Sequence, residues 1–270
     1  MSKKPTSMEK TDKLLVEKNQ DTGYLGFNQP EKHNAISLEM WRGISQAMDN
    51  FESDSRVKVI VVSGEGGRAF SSGADISQFE AKRSLASEIE AYNSVMTLAY
   101  RKLTDIPKPT IARIGGYCMG GGLAVALCCD LRLASEDARF GIPAAKLGLG
   151  YSYESLRPLV NCVGPIRAKE ILFSARQFSA QEAYDMGLIN SIRNKTDLAQ
   201  SVDECAQAIA ENAPLSVKAF KQIVAEIGKD PNDRDLNLCQ HLNDKCYASE
   251  DYKEGRKAFM EKRNPNFSGS

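Results

Sequence analysis

Two glycine-rich segments carry the residues whose type and spacing bear most directly on chemistry. The first contains Gly73, Ala74 and Asp75, and the second contains the run Gly120-Gly121-Gly122. Each follows an apolar run that predicts a buried strand and precedes a helical pattern. The first turn of a helix leaves backbone N–H groups without intrahelical acceptors, at the positive end of the helix dipole. Such groups bind anions, so the amides of Ala74 and Gly121 could converge on one oxygen and stabilise an oxyanion or an enolate.

The same loops do not match the common nucleotide-binding signatures. Gly64, Gly66 and Gly67 do not form G-x-G-x-x-G, and no P-loop lysine follows either loop. A serine or cysteine hydrolase is disfavoured, because the chain has no GxSxG elbow and offers only His33 and His241 as imidazole bases. For either loop considered alone, the alternative to an anion-binding role is a turn that binds no ligand. The residues alone therefore predict an anion or oxyanion site and leave its substrate open.

The elements that must position these loops alternate along the chain. Residues 14–16 and 24–27 predict an opening hairpin, and Ser37 predicts the N-cap of a first helix. Strand, glycine loop and helix then recur twice, and the strands of this pattern are predicted at residues 57–62, 110–114 and 130–134. Such alternation favours right-handed crossovers between parallel strands, so we predict an α/β core.

The second half of the chain has a largely helical pattern. Pro165 suits a first helical position, and Ser179 with Glu182 gives a capping box. Residues 188–192 predict one last strand, and three or four helices are predicted beyond residue 196. No glycine-rich or serine-rich linker separates them, so no independent second domain is expected.

Composition narrows the partners and the compartment. The 270 residues carry 35 basic and 35 acidic side chains, so no long-range positive field attracts nucleic acid or anionic membrane. Seven cysteines without a CxxC pair disfavour both a zinc site and a disulfide framework, and most are expected to be buried in a reducing compartment. The uncharged run at 114–129 is too short for a membrane span, and the N-terminus lacks the apolar stretch of a signal peptide. We expect a cytoplasmic protein, or one of an organelle matrix, with no metal and no nucleic acid partner.

Five motifs, in order, resemble the crotonase superfamily, the enoyl-CoA hydratase and isomerase group. The motifs are NQPEKHNA at 28–35, FSSGADI at 70–76, GYCMGGGLA at 116–124, FGIP at 140–143 and EGRKAFMEK at 254–262. The similarity spans roughly residues 14 to 266. It implies a flexible tail at 1–13, a spiral of ββα units at 14–195 and a helical C-terminal oligomerisation region at 196–270. It also implies an acyl-CoA substrate, no cofactor other than the coenzyme A of that substrate, and a homotrimer or a dimer of trimers.

The resemblance also assigns site residues. The oxyanion hole of the family falls on the backbone amides of Ala74 and Gly121, in agreement with the loop chemistry. Phe259 and Lys262 are similar to C-terminal residues that contact the nucleotide end of coenzyme A, often in a neighbouring subunit; the alternative is a core aromatic beside a solvated lysine. The full set of residues expected at the coenzyme is Lys32, Ala35, Ala74, Asp75, Ile76, Phe259 and Lys262.

The acid–base residues of the family are missing. The two glutamates that activate water in hydratases of this family fall on Ala124 and Ala144, and the extra aspartate of dienoyl isomerases falls near Ser152. General acids and bases contribute roughly 10²- to 10⁴-fold each, so we predict weak or absent hydration of simple 2-enoyl-CoA. Glu154 is the candidate surviving base; the alternative is a helix-start carboxylate that faces solvent and is favoured there by the dipole.

Several reactions therefore stay open at the level of sequence. Decarboxylation needs only enolate stabilisation, whereas thioester hydrolysis or isomerisation would use Glu154. A non-catalytic acyl-CoA-binding oligomer is the alternative from another class of function. Tyr151 and Tyr153 could donate hydrogen bonds to a carbonyl, although tyrosines at such places more often pack with hydrated hydroxyls. The apolar residues Phe79, Leu85 and Ile89 are expected to line the acyl tunnel or the core.

Overall fold

A computed structural model describes residues 11–75 and 86–270, and within them ten strands form two sheets. The strands are β1 (Leu14–Asn19), β2 (Thr22–Phe27), β3 (Val59–Gly64), β4 (Ala69–Ser71), β5 (Thr110–Ile114), β6 (Tyr117–Met119), β7 (Leu131–Ser135), β8 (Arg139–Gly141), β9 (Phe178–Ser179) and β10 (Ser191–Arg193). The first sheet has the order β1-β2-β3-β5-β7-β10, and the second has the order β4-β6-β8-β9.

Nine α-helices accompany these strands in the described ranges. They are α1 (Leu38–Ser53), α2 (Ala86–Asp105), α3 (Gly121–Cys128), α4 (Tyr153–Ser174), α5 (Ala180–Asp185), α6 (Leu198–Ala210), α7 (Pro214–Ile227), α8 (Leu236–Tyr247) and α9 (Glu250–Glu261). Short 3₁₀ turns occur at Pro30–Lys32, Pro143–Leu147 and Pro231–Asp233. The four helices α6 to α9 confirm the helical C-terminal pattern.

The strand order confirms the predicted α/β core. Strands β2, β3, β5, β7 and β10 are parallel neighbours, and β1 joins β2 in an antiparallel hairpin. The first five residues of β3 are fully buried, as its β-branched run predicts for a strand covered on both faces. Three ββα units recur, in which one strand lies in the large sheet and the next in the small sheet: β3-β4-α2, β5-β6-α3 and β7-β8-α4.

The principal core lies between the sheets and the helices that follow the strands. Helix α1 begins where predicted, since the Ser37 side chain accepts a hydrogen bond from the backbone N–H of Met40. Its buried face carries Met40, Trp41 and Ile44, and burying each side chain of this size contributes about 1.5–3 kcal/mol. The indole N–H of Trp41 donates to the hydroxyl of Tyr92 at 2.9 Å, which satisfies the buried polar atom and joins α1 to α2.

The C-terminal helices attach to the other face of the large sheet. Leu198, Val202, Ala206 and Ala210 of α6 form one cluster with buried residues of β3, β5 and β7. This contact crosses the boundary that the sequence places between residues 195 and 196. Large apolar side chains nevertheless stay exposed on α7, α8 and α9; they are Phe220, Val224, Ile227, Leu236, Tyr247, Tyr252, Phe259 and Met260.

All seven cysteines are free thiols. Cys118, Cys128 and Cys129 are buried, and burial raises the pKa of each thiol. The other four are only partly buried, so the expectation that most cysteines are buried is wrong. Those four lie on α4 and on the C-terminal helices, whose outer faces the core does not cover; they are Cys162, Cys205, Cys239 and Cys246.

Candidate functional site

The first glycine loop leaves β4 and is fixed by a short parallel bridge between Ile36 and Ala74. The N–H of Ile36 donates to the carbonyl of Gly73 at 2.7 Å, and the N–H of Asp75 donates to the carbonyl of Ile36 at 3.0 Å. A parallel bridge of this kind uses the groups on either side of Ala74. The N–H of Ala74 therefore points away from Ile36.

The second glycine loop begins helix α3 and lies against the first. A Cβ atom added to Gly121 would lie 3.2 Å from the backbone nitrogen of Ala74, and one added to Gly73 would lie 3.0 Å from the nitrogen of Gly121. Gly73 has φ +103°, a conformation that favours glycine. Among the hydrogen bonds of the described residues, none is donated by the N–H of Ala74 or Gly121. The structure thus brings together the two amides that the sequence singled out.

These amides border a cavity of about 640 Å³, within the usual range of small-molecule sites. Helix α2 forms one wall, and the glycine loops with residues 143–155 form the other. Its lining includes Ser72, Gly73, Ala74, Ile89, Glu90, Asn93, Thr97, Tyr100, Arg101, Gly120, Gly121, Ala124, Ala144, Leu147, Leu149, Tyr151 and Glu154. Ile89 is therefore at the cavity, whereas Phe79 and Leu85 lie outside the described residues.

Ala124 and Ala144, where the motif resemblance places the two hydratase glutamates, both line this cavity. Ala124 lies on α3, Ala144 lies in the 3₁₀ turn after β8, and both are buried. Their methyl groups neither ionise nor hold a water molecule. The carboxylates that the described part of the lining offers are Glu90 and Glu154, and both residues are exposed. Glu154 is in the first turn of α4, two residues after its Ser152 N-cap, and it reaches the cavity from a solvent-facing edge.

Two tyrosine hydroxyls lie next to the amide pair. The hydroxyl of Tyr100 is 3.6 Å from the position of a Cβ on Gly121, and its ring packs edge-on against Trp41. The hydroxyl of Tyr151 is 3.8 Å from the position of a Cβ on Gly120. Burial raises the pKa of Tyr151, which keeps this hydroxyl protonated at neutral pH. Tyr153, by contrast, is 74% exposed and does not line the cavity.

Several residues expected at the coenzyme lie close to the first loop. The Lys32 ammonium is 3.4 Å from a carboxylate oxygen of Asp75, which is itself buried. Ala35 is buried, and its carbonyl accepts a hydrogen bond from the Gln29 side chain at 2.9 Å. Ile76, the remaining residue of this group, lies outside the described residues.

Phe259 and Lys262 are elsewhere in the chain. Phe259 lies on α9 with 82% of its surface exposed and lines a different cavity of about 650 Å³, together with Phe220, Tyr252 and Met260. Lys262 ends α9 in a left-handed conformation and is exposed. The structure of one chain does not bring these two residues to the cavity of the amide pair.

Sequence reasoning missed the polar wall that α2 contributes. Glu90, Asn93, Thr97 and Arg101 line the cavity at intervals of three or four residues, which places them on one face of the helix. That spacing was a readable signal, but a polar helical face usually faces solvent, and the sequence gives no reason to place it over a site. Tyr100 was missed for a similar reason, since an aromatic residue on a helix usually belongs to the core.

No helix in the described ranges is long and apolar enough to cross a membrane. The same ranges contain no cluster of three His, Cys, Asp or Glu side chains able to hold a metal ion.

The repeated ββα units and the cavity at their glycine loops define a crotonase-fold enzyme. A crystal structure of an enoyl-CoA hydratase/carnithine racemase from Magnetospirillum magneticum superposes with a TM-score of 0.91 at 33% identity and covers 97% of each chain. A putative enoyl-CoA hydratase/isomerase family protein from Hyphomonas neptunium gives the same TM-score at 34% identity, over 96% of this chain and 98% of the other.

The family model for enoyl-CoA hydratase/isomerase matches residues 17–270, so the chain belongs to that family. The chain is 30% identical over 256 residues to a crotonyl-CoA hydratase of Syntrophomonas wolfei, a match that covers 95% of this chain and 98% of the relative. It is 36% identical over 244 residues to a putative enoyl-CoA hydratase of Thermus thermophilus, covering 89% and 95% of the two chains. These matches confirm the resemblance inferred from the motifs, and they make the protein an enzyme of this acyl-CoA family.

Proposed function

We propose that this enzyme polarises the thioester carbonyl of an acyl-CoA with the amides of Ala74 and Gly121, and that it forms an enolate by loss of CO₂ rather than by addition of water. The observation that carries the proposal is the approach of these two amides at one cavity whose nearby family acid–base positions are alanines. The substrate class is a thioester of coenzyme A whose acyl group carries a carboxylate on the α-carbon.

The amide pair suits a developing negative charge. Both N–H groups lack protein acceptors within the described structure, so they can donate to the thioester oxygen. Such preorganised donors stabilise the enolate more than the neutral carbonyl, because the charge on oxygen grows during the reaction. This difference between enolate and ground state is what lowers the barrier.

Hydration is poorly supported by the same site. Adding water to a 2-enoyl thioester requires a base at the water oxygen and a proton for the α-carbon. Ala124 and Ala144 supply neither, and the carboxylate of Glu154 belongs to an exposed side chain. We therefore propose that the chain hydrates simple enoyl-CoA weakly, although named relatives are hydratases.

Decarboxylation needs less from the protein. The bond between the α-carbon and the carboxylate breaks, its electron pair enters the enolate, and CO₂ departs without a protein base. For this bond cleavage the protein has to stabilise the negative charge on the enolate oxygen, and the amide pair does so. The cavity of about 640 Å³ has room for the short acyl group of a malonyl-type thioester beside the pantetheine arm.

The coenzyme would extend from the amide pair toward Lys32. The Lys32 ammonium is half-exposed beside Asp75, where it could meet a phosphate of coenzyme A. We further propose that Phe259 and Lys262 contact the nucleotide end of coenzyme A in a neighbouring copy, within a homotrimer or a dimer of trimers. The exposed apolar side chains of α7 to α9 support assembly through this region.

The decisive test compares Gly121→Ala with Gly115→Ala. A methyl group added at Gly121 would lie 3.2 Å from the Ala74 nitrogen, in the space proposed for the thioester oxygen. A methyl group added at Gly115 would have no atom within 4 Å. We expect Gly121→Ala to lower kcat for CO₂ release from malonyl-CoA by roughly 10²- to 10³-fold, as the loss of an oxyanion donor does. Gly115→Ala should match the wild type.

Two outcomes would contradict the proposal. Calorimetry that detects no binding of acetyl-CoA at millimolar ligand would exclude the thioester site. Binding without CO₂ release from malonyl-type thioesters, together with rapid hydration of crotonyl-CoA, would show that the enzyme is a hydratase despite its alanines.

Glu154 supports a second candidate, because its carboxylate lines the same cavity. In that case the enzyme would hydrolyse or isomerise the thioester with Glu154 as base. Glu154→Gln would then abolish turnover and leave coenzyme A affinity unchanged. An unchanged rate of turnover in Glu154→Gln would discard this assignment.

A further inference from the structure

The side chain of Tyr151 packs against the principal core and also lines the cavity of the amide pair. Its ring is mostly buried, and it lies between the glycine loop of α3 and the N-terminus of α4. Among the hydrogen bonds that the described residues form, none involves its hydroxyl. A buried tyrosine usually places its hydroxyl against a partner, so this hydroxyl is free for a ligand.

The position of the hydroxyl relates it to the reacting atoms. It is 3.8 Å from the Cβ position at Gly120, one residue before the Gly121 amide, and a Pro143 ring carbon is 3.9 Å from the same point. Pro143 directly precedes Ala144, where the family places an acid. The Tyr151 hydroxyl thus enters the cavity on the side from which that acid is missing. The α-carbon of the substrate is two bonds from the thioester oxygen. A hydroxyl beside the amides that bind this oxygen is therefore also close to the α-carbon.

We propose that Tyr151 is the catalytic acid that protonates the enolate α-carbon on one face. This inference rests on the proposed decarboxylation and adds the group that completes it. The electron pair of the enolate C=C bond forms the new bond from carbon to hydrogen, the O–H bond of Tyr151 breaks, and its electron pair stays on the phenolate oxygen. Water at the open side of the cavity then reprotonates the phenolate, and the hydroxide formed combines with the released CO₂ as bicarbonate.

The chemistry of the hydroxyl agrees with this role. Burial raises the pKa of Tyr151, so the donor is protonated at neutral pH. A thioester enolate is far more basic than a phenolate, so the transfer runs downhill. Tyr100 is the other hydroxyl near the amides, but it packs on Trp41 and has further contacts within the protein.

The test uses methylmalonyl-CoA as probe in D₂O, where decarboxylation gives propionyl-CoA with one deuterium at the α-carbon. We expect the wild type to place the deuterium in one configuration. Tyr151→Phe should still release CO₂, because bond cleavage needs only the amide pair, but it should lose the stereochemical excess since solvent then reaches both faces. Tyr153→Phe removes an exposed hydroxyl two residues further along the chain and should keep the stereochemical excess of the wild type.

Each other outcome overturns the assignment. An excess that persists in Tyr151→Phe, or a racemic wild-type product, removes Tyr151 as the donor and leaves decarboxylation intact. Loss of the stereochemical excess in Glu154→Gln would identify Glu154 as the proton donor instead of Tyr151. This measurement does not depend on whether Tyr151→Phe folds. A wild type that releases no CO₂ would overturn the proposed reaction, and this inference with it.

Discussion

Under the proposed function, Ala124 and Ala144 limit the reactions that the cavity can support. Both are buried at its wall, 20 residues apart in sequence, at the positions where the motif resemblance places the two hydratase glutamates. A methyl group in place of a carboxylate leaves the cavity larger and less polar there. The amide pair beside them is made of backbone and is therefore unaffected by side-chain replacement. The proposed oxyanion site therefore does not depend on which side chains occupy positions 124 and 144.

Restoring both carboxylates should restore hydration. In the double variant Ala124→Glu/Ala144→Glu, one carboxylate can act as base toward water and the other can supply the proton. We expect crotonyl-CoA hydration to rise by roughly 10²-fold or more over the wild type, because a single acid–base group contributes roughly 10²- to 10⁴-fold. The rate is measured by the loss of enoyl-thioester absorbance.

A matched control separates position from charge. Ala145→Glu adds the same carboxylate one residue along, at an exposed position outside the cavity lining, and should leave the rate at the wild-type level. A folded double variant that binds acetyl-CoA but hydrates no faster than the wild type would show that the alanines are not what limits hydration.

The residues of the site differ in how far sequence could reveal them. The amides of Gly121 and Ala74 were predictable because a glycine loop at a helix start leaves N–H groups without intrahelical acceptors, and because the family motifs fall on the same two loops. Tyr151 was named as a possible donor to a carbonyl with packing as the alternative, and Arg101 was missed, since a tyrosine or an arginine has many uses and only tertiary packing shows which one applies. Glu154 was predicted from its position after the missing acid, and the structure does place it at the cavity, although on an exposed edge.

At the scale of elements, α4 joins two helix starts that the sequence indicates, one near Glu154 and one at Pro165. The element begins at Tyr153 after the Ser152 N-cap and is kinked at Gly164, directly before Pro165. Pro158 lies inside it, and Gly164 interrupts it with φ 74° and ψ 165°. Both residues normally mark the outside of a helix. Here two helical segments meet at a kink: the first lines the cavity through Glu154, and the second buries Ile171 in the core.

Gly164→Ala should destabilise the protein. The backbone region that Gly164 occupies is essentially closed to residues with a Cβ, so the alanine variant must strain or straighten the kink. We expect the free energy of unfolding to fall by about 1–3 kcal/mol, the usual cost of such a conformation. Urea denaturation followed by circular dichroism measures it.

Gly228→Ala is the matched control. Gly228 follows α7 with φ −74° and ψ −5°, and a Cβ there would make ordinary contacts at 3.5 Å or more. Alanine should therefore be neutral or stabilising by up to about 1 kcal/mol, through lower entropy of the unfolded chain. Equal effects of the two substitutions would mean that the Gly164 conformation is not needed for the fold.

Some strands could be predicted from the sequence and others could not. Strands β3, β5 and β7 could be predicted because they are β-branched or apolar runs. Strands β4, β6 and β8 have three residues each and adjoin glycine loops, so no periodicity could be read from them. Their pairing is a tertiary contact, β4 parallel to β6 and β6 parallel to β8, so it could not be read from local sequence.

At the scale of the whole molecule, a partly exposed ion pair joins the C-terminal helices to the large sheet. Lys221 of α7 donates to a carboxylate oxygen of Asp130 at 2.8 Å and to the carbonyl of Lys108 at 3.0 Å. The same Asp130 oxygen accepts from the backbone N–H of Thr110 at 2.7 Å and from its hydroxyl at 3.0 Å. The ammonium thus ties α7 to the starts of β5 and β7, which carry the second glycine loop and the FGIP segment.

Lys221→Met should therefore weaken the whole fold and not only its C-terminal part. The side chain of Lys221 is 13% exposed and that of Asp130 is 35% exposed, so water partly solvates the Asp130 charge once the ammonium is removed. We expect the free energy of unfolding to fall by about 0.5–1.5 kcal/mol, the usual net contribution of a hydrogen bond, because solvent screens the ion pair. Lys218→Met, on the exposed side of the same helix, should change it by less than about 0.5 kcal/mol.

Hydrogen exchange distinguishes a global effect from a local one. If α6 to α9 and the sheets unfold together, as the shared cluster of α6 with β3 and β5 implies, amides of β5 and of α7 should lose the same protection in Lys221→Met. Loss confined to α7, with β5 unchanged, would show that the C-terminal helices unfold as a separate unit. The ion pair would then be a local contact, and the sequence division at residue 195 would mark a real boundary in cooperativity.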